Sequence, residues 1–356
     1  MNGEPAAVHL PELDDISEQT ITRELLDAAR QGWTPDDLRH VLGPAVVPLL
    51  RATHPRVPGV AHPRIAAAWD RHLGEVADDT PAALDHRARQ VLAGDLWRLP
   101  AFTDTDVYTD RHALLRGGDP ASGPSPAQRR ARQRITGLLR KARSTTFAAE
   151  AESLVAKAQQ LRQRYRLEHA LDEGPEELGD VVSVRVHLHA PWIRFQFLLL
   201  GSVAVPNSCR TVLSGEVGIA TLLGHPDDVR HCLELFTSLN HQRDYFMRHS
   251  PGATAAHRRG QTSAYRRSFL FAYANRILDL LNQATMDVPA DAGASGGALP
   301  VLARRDAVAE EVRDRIFPHT SGMSFGHRHC HSGSTDGVAA AERSHLGPSR
   351  TTLNSA

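Results

Sequence analysis

The sequence predicts a mainly helical protein with an α+β domain in its C-terminal part. Most hydrophobic residues recur at three- and four-residue spacing, which is typical of amphipathic helices. Residues 181–189 instead alternate between apolar and polar side chains, as an amphipathic strand with a solvent-exposed polar face does. The 356 residues, 41% hydrophobic and 23% charged, provide enough chain for two or three domains with cores of their own.

Residues 1–116 are predicted to form an N-terminal helical region. The clearest helix begins at Pro35, where Thr34 is placed as the N-cap and Asp37 completes a short capping box. Three tryptophans of this region are expected to be core residues: Trp33, Trp69 and Trp97. Glycine, proline and serine are concentrated at residues 117–126, which predicts a linker and a domain boundary.

Residues 127–170, the basic hairpin, are predicted to form two antiparallel helices joined by a turn. The apolar positions of the first arm are Ile135, Leu138, Leu139 and Ala142, and those of the second include Leu154, Ala158, Leu161 and Tyr165. The hydroxyls at Ser144, Thr145 and Thr146 are suited to cap the second arm. Each arm has only one narrow apolar stripe, so the pattern indicates that the two arms pack on each other.

The motifs of the basic hairpin also resemble a known family. They are Ile135, Leu138, Leu139, Lys141 and Ala142, then Ser144, Thr145, Glu150 and Ala151, then Lys157, Ala158, Leu161, Tyr165 and Leu167. In order and spacing they are similar to the bacterial DUF2786 family, a domain of unknown function. The segments around Trp192, Pro226, Phe269 and Gly337 resemble the companion domain that usually follows it. The resemblance implies no catalytic residues.

Residues 180–318 are predicted to form the α+β domain, with a spacer at residues 287–299. The strand at 181–189 and two short strands at 209–213 and 217–223 suggest a three-stranded antiparallel sheet. Long helices beginning at Pro226 and passing through Tyr265 are expected to cover this sheet. Residues 319–356 are rich in glycine, serine and histidine and are predicted to be a disordered tail.

Charge provides the main functional indication. Between Arg129 and Arg166 the chain has eleven basic and two acidic residues, a local net charge of +9 in a protein whose formal net charge is zero. Clustered arginines neutralise phosphates, so the favoured hypothesis is a non-enzymatic protein that binds nucleic acid or an acidic partner. The candidate residues are Arg129, Arg130, Arg134, Arg140, Lys141, Arg143, Arg162, Arg166, Arg266 and Arg267. A solvated helical face, or docking of the acidic connector at 171–180, would also account for the charge.

Two other functions remain open. His187 and His189 are two residues apart on a predicted strand and point to the same side, a geometry that suits a metal-dependent enzyme or metal-binding protein. The tail adds a second cluster of His327, His329, Cys330 and His331. The basic hairpin could also serve as a protein-interaction or oligomerisation module. No phosphate-loop, dinucleotide or nucleophile-elbow motif is present, and no cofactor is strongly implied.

The sequence favours a soluble, cytoplasmic protein. No apolar run approaches the roughly eighteen residues of a membrane-spanning helix, and the acidic N-terminus has no apolar signal segment. The three cysteines, Cys209, Cys232 and Cys330, form no Cys-x-x-Cys pair and are expected to be reduced.

Overall fold

The computed structural model describes residues 16–73, 84–116, 181–286, 298–326 and 330–344, together with the isolated positions Arg130, Arg134 and Leu161. Its described part is mainly helical with one small antiparallel sheet, which confirms the predicted fold class. The chain divides into two compact units, residues 1–108 and residues 109–356. The division places Arg111–Arg116 in the second unit, whereas the sequence analysis assigned it to the N-terminal region.

The N-terminal unit is helical throughout its described residues. Its elements are α1 (Glu18–Arg30), α2 (Pro35–Leu42), α3 (Val47–Thr53), α4 (Pro63–Leu73) and α5 (His86–Trp97), with 3-10 turns at Pro44–Val46 and His54–Gly59. Helix α2 begins as predicted, because the Asp37 amide donates to the Thr34 hydroxyl and the Thr34 amide donates to the Asp37 carboxylate, both at 3.3 Å. Local capping chemistry therefore determines where this helix starts.

Two of the three tryptophans are fully buried in this unit. The Trp69 indole donates to the Trp33 carbonyl at 2.9 Å, and the Trp33 indole donates to the Pro100 carbonyl at 2.8 Å. Trp97, at the end of α5, is only half-buried. Trp33 and Trp69 are thus core residues as predicted, and their polar N–H groups are satisfied by backbone carbonyls.

The second unit contains the predicted three-stranded sheet. Its strands are β1 (Val182–His187), β2 (Arg210–Ser214) and β3 (Ile219–Gly224), and β3 lies in the centre, antiparallel to both neighbours. Leu222 of β3 pairs with Val184 on one side and with Thr211 on the other. Every residue of β3 is buried, so this strand lies in the core of the unit.

Both the apolar and the polar residues in the interior of β1 are buried, which corrects the interpretation of an amphipathic strand with a solvent-exposed face. Ser183 and Arg185 are 0% and 4% exposed, and Thr221, which pairs with Arg185, is buried as well. The two end residues of the strand, Val182 and His187, are half-exposed, and His189 beyond the strand is exposed. Alternation along one strand shows which residues share a face, but a distant segment decides whether the polar face is covered.

Helices surround this sheet. They are α6 (Arg111–Arg116), α7 (Ile193–Ala204), α8 (Pro226–His249), α9 (Pro251–Arg258), α10 (Thr262–Met286), α11 (Ala298–Ile316) and α12 (His331–Glu342), with a 3-10 turn at Val205–Asn207. None of the described helices combines the length and hydrophobicity needed to cross a bilayer.

Helix α11 is fixed to the sheet by charged groups. Arg210 of β2 donates two hydrogen bonds of 2.7 Å to the two carboxylate oxygens of Asp306. The hydrogen bonds from Asp306 raise the pKa of the Arg210 guanidinium above its usual value. A second, buried pair joins Arg305 to Asp228 in the first turn of α8 at 3.4 Å. A bidentate arginine–carboxylate pair has a fixed geometry, so the Arg210–Asp306 pair fixes the position of α11 along β2, and the Arg305–Asp228 pair joins α11 to α8.

Helix α12 contradicts the prediction of a disordered tail, since it packs along α10 with its backbone in close contact. A Cβ atom added at Gly333 or Gly337 would lie 2.4 Å from the carbonyl oxygen of Tyr265 or Phe269. Asp336, between the two glycines, accepts hydrogen bonds from the Tyr265 hydroxyl at 2.7 Å and from the Gly252 amide at 2.8 Å. The small residues that suggested a flexible tail are the ones that allow this close approach.

Substitution of Gly337 by alanine tests this contact. We expect Gly337→Ala to lower the free energy of unfolding by about 2 kcal/mol, because the new methyl group collides with the backbone of α10. Gly94→Ala, also within a helix, is the matched control: no atom lies within 4 Å of its added Cβ, so it should raise stability by about 0.5–1 kcal/mol. Urea unfolding followed by circular dichroism measures both, and equal effects would contradict the packing of α12 on α10.

Candidate functional site

Most of the predicted nucleic-acid-binding residues lie outside the described part of the chain. These are Arg129, Arg140, Lys141, Arg143, Arg162 and Arg166. Arg130 and Arg134 are described as exposed helical positions. The hairpin geometry of residues 127–170 therefore stays a prediction.

Arg266 and Arg267 lie in the first turns of α10, and both side chains are exposed. The Arg267 guanidinium donates to the Ser263 hydroxyl one turn earlier at 2.7 Å. Arg266 lines a cleft of about 390 Å³ within the second unit. The described part of the site is therefore built around this cleft, which the sequence analysis did not identify.

Three segments of the second unit form the cleft. Helix α8 contributes Asn240, His241, Arg243, Asp244, Met247 and Arg248, the segment from β1 into α7 contributes His189, Ala190, Pro191, Trp192 and Gln196, and α10 contributes Arg266. The apolar residues Ala190, Pro191 and Trp192 thus lie on the segment from β1 into α7, and the arginines and the aspartate lie on α8 and α10.

Gln196 holds the segment that enters α7. Its amide nitrogen donates to the His189 carbonyl at 2.6 Å, and its amide oxygen accepts from the His189 amide at 3.4 Å. Gln196 itself is only 5% exposed. One side chain thus hydrogen-bonds both backbone groups of His189 and holds this wall of the cleft in place.

Arg243 is the most deeply buried charge of the cleft, with 2% of its surface exposed. Its Nε and Nη2 atoms both donate to the same oxygen of Asp244, at 3.1 and 2.7 Å. Its Nη1 atom is buried and makes no hydrogen bond with the described residues, and neither does the Oδ1 atom of Asn240. Asn240 and Arg243 are three residues apart on α8, so the two unsatisfied groups lie on one face of the helix.

The cleft is positively charged. Arg243, Arg248 and Arg266 stand against the single carboxylate of Asp244. Arg248 and Arg266 are exposed, and neither forms a salt bridge to a described residue. The site is therefore suited to an anion, because an arginine presents several donors to carboxylate or phosphate oxygens.

The two histidines proposed as metal ligands are placed differently by the fold. His187 is the last residue of β1, and His189 lies beyond the strand, at the cleft. Within the described ranges, no three His, Cys, Asp or Glu residues come together in a way that could hold a metal ion. The tail cluster falls partly outside these ranges, since His327 and His329 are not described.

Sequence reasoning missed Asn240 and Arg243. One signal was available: Arg243 lies in register with the apolar stripe of α8, four residues after the buried Leu239. An arginine on the buried stripe of a helix indicates a charge that the interior must accommodate. The pattern does not show whether a neighbouring acid satisfies all of its donors.

Comparison with known families agrees with the motifs of the basic hairpin. Residues 130–169 match the DUF2786 family model, described as a protein of unknown function, so the predicted resemblance is confirmed for this segment. The match ends before the sheet begins, so the resemblance of the later segments to a companion domain stays a prediction. Neither the curated proteins nor the solved structures contain a match to the chain.

The role of Gln196 can be tested by removing its amide. We expect Gln196→Leu to destabilise the protein by about 1–3 kcal/mol, because it removes the acceptor of the His189 amide and one of the two donors to the His189 carbonyl, which still accepts from the Trp192 amide at 3.3 Å. Thermal unfolding of the full chain measures the loss. The same substitution at the exposed Gln261 is the control and should change stability by less than about 0.5 kcal/mol. Comparable losses in the two variants would argue against the proposed support of the cleft wall.

Proposed function

We propose that the protein is a non-enzymatic nucleic-acid-binding protein. The observation that carries the proposal is a pair of segments with concentrated positive charge in a chain of zero net charge. The first is the basic hairpin, with a net charge of +9 between Arg129 and Arg166. The second is the basic segment, residues 248–267, which has five arginines and no aspartate or glutamate.

The basic segment joins the end of α8 to the start of α10. All five of its arginines are exposed: Arg248, Arg258, Arg259, Arg266 and Arg267. Exposed arginines keep their charge, are weakly hydrated and form bidentate hydrogen bonds with phosphate. The segment therefore supports contacts to a polyanion.

Nucleic acid is favoured over an acidic protein because of how the charges are spaced. In both segments the basic residues are distributed along the chain with almost no acid between them. A regular polyanion offers a phosphate to each successive cation, whereas an acidic protein surface offers carboxylates at irregular positions. Contacts of this kind position the protein on a strand without reading its sequence.

The contribution of the basic segment is tested by removing three of its charges. We expect Arg258→Gln, Arg259→Gln and Arg267→Gln together to weaken binding to DNA and RNA. The slope of log K against log salt is negative, and its magnitude should decrease by about 2–3. Fluorescence anisotropy across a salt titration gives both values. A matched triple variant of exposed arginines in the N-terminal unit, Arg23→Gln, Arg56→Gln and Arg98→Gln, should leave the slope unchanged.

The basic hairpin is tested by the same measurement. Arg140→Gln, Lys141→Gln and Arg143→Gln should reduce affinity by at least tenfold at low salt, because three phosphate contacts are lost. Failure of the unmodified protein to bind either single- or double-stranded nucleic acid at low salt would reject the proposal. Tighter binding to an acidic polypeptide of equal charge than to DNA would instead favour an acidic protein partner.

A further inference from the structure

The cleft beside the basic segment has the size and composition of a small-molecule site. Its volume of about 390 Å³ falls within the range of roughly 300–1,000 Å³ typical of ligand pockets. Such pockets combine an apolar wall with a few convergent polar groups. The described lining residues all lie between His189 and Arg266.

The side chains of α8 at the cleft have hydrogen-bonding groups that the described residues do not satisfy. Buried polar groups in native proteins almost always have a hydrogen-bond partner, and an unpaired buried guanidinium N–H is costly. Asp244 occupies Nε and Nη2 of Arg243 but leaves Nη1 without a partner in the described structure. Nη1 itself lies below the surface of the cleft, but the incompletely compensated charge of the Arg243 guanidinium attracts an anion that enters the cleft.

The charge of the cleft favours a phosphate over a carboxylate. Two further arginines, Arg248 and Arg266, line the cleft with exposed side chains, so three cations face one aspartate. A phosphate monoester has a charge of about −1.5 to −2 at neutral pH and three acceptor oxygens. It therefore matches the net positive charge of the cleft better than a single carboxylate does.

The remaining wall favours a flat ring attached to that phosphate. Pro191, Trp192 and Met247 provide the apolar surface, and the Trp192 indole is half-buried, with its ring 6.0 Å from that of Phe195. Tryptophan stacks on nucleobases with little sequence preference. Asn240 lines the same cleft, and its buried amide oxygen makes no hydrogen bond with the described residues.

From these observations we infer that the cleft binds a nucleotide, with the phosphate at Arg243, Arg248 and Arg266 and the base against Trp192. The same chemistry is presented by a free nucleoside monophosphate and by an unpaired nucleotide within a single strand. A base-paired nucleotide is excluded, because both faces of its base are covered by stacking.

Isothermal titration calorimetry of the full chain tests the cleft with defined probes. Adenosine and cytidine 5′-monophosphate should bind, while adenosine, ribose 5-phosphate and inorganic phosphate should each bind at least tenfold more weakly. Inorganic phosphate binding as tightly as the nucleotides would overturn the nucleotide assignment. An absence of binding by both nucleotides would overturn the site as a whole.

Three variants test whether the nucleotide binds in the cleft. Arg266→Gln, at an exposed position, should weaken nucleotide binding by about tenfold, since it removes one charged hydrogen bond. Arg243→Met should abolish measurable binding, and Trp192→Leu should weaken the binding of nucleotides while leaving the binding of inorganic phosphate unchanged.

Arg304→Gln, at an exposed position on α11 that does not line the cleft, is the control and should bind as the unmodified protein does. Equal losses in Arg266→Gln and Arg304→Gln would overturn the inference, even if Arg243→Met fails to fold.

Competition distinguishes the two sources of the ligand. If a single-stranded oligonucleotide displaces bound adenosine 5′-monophosphate and a duplex does not, the cleft takes nucleotides from strands. If neither displaces it, the ligand is a free nucleotide, and the cleft acts separately from the basic segments. Failure of all nucleic-acid binding with nucleotide binding intact would reject the proposed function and leave the nucleotide site standing.

Discussion

The close packing of α12 on α10 is the contact on which the rest of the second unit depends. Gly333 and Gly337 place the backbone of α12 against the carbonyl groups of Tyr265 and Phe269, so the face of α10 that contains these aromatic residues must be inward. Successive residues of a helix are rotated by about 100°, so fixing Tyr265 inward turns Arg266 and Arg267 away from α12. Burial, and then the neighbouring Asp336 carboxylate, raise the pKa of the Tyr265 hydroxyl, which remains a donor in this contact. The segment that looked most like a flexible tail therefore helps to orient Arg266 at the cleft.

Local signals predicted the elements that depend on neighbours in sequence. The start of α2 followed from Thr34, Pro35 and Asp37, and the start of α8 followed from Pro226 and the acids after it, because capping involves residues within one turn. The prediction of the sheet succeeded because alternation and turn residues are equally local.

The errors concern features determined by distant residues. A flexible linker and a closely packed helix can both be rich in glycine and serine. Only the carbonyl groups of α10 that face α12 distinguish the two cases. The polar positions of β1 were expected to be solvated, yet Ser183 and Arg185 are buried by segments far away in sequence. The cleft was missed for a related reason: it joins α8, α10 and the β1–α7 segment, and no single stretch of sequence contains it.

Two buried arginines of the second unit, Arg305 and Arg243, differ in the environment of the carboxylate that faces them. Arg305 faces Asp228 at 3.4 Å, and both side chains are almost fully buried, so this pair of opposite charges joins α11 to α8. Arg243 is buried to a similar extent, but its partner Asp244 is 37% exposed and offers a single oxygen to two donors. A buried guanidinium compensated only from one side keeps part of its desolvation cost until a further acceptor arrives.

The two kinds of basic feature would contribute differently to binding. Exposed arginines of the basic segment would gain affinity by releasing counterions, which is sensitive to salt and indifferent to the identity of the base. The cleft, lined by Arg243 and Trp192, would bind most tightly a ligand that has both a phosphate and a ring, since each alone leaves part of the cleft unoccupied. Arg248 and Arg266 belong to both the basic segment and the cleft. A strand held along the basic segment would therefore have its phosphates next to the cleft, where an unpaired base could reach Trp192 and a paired base could not.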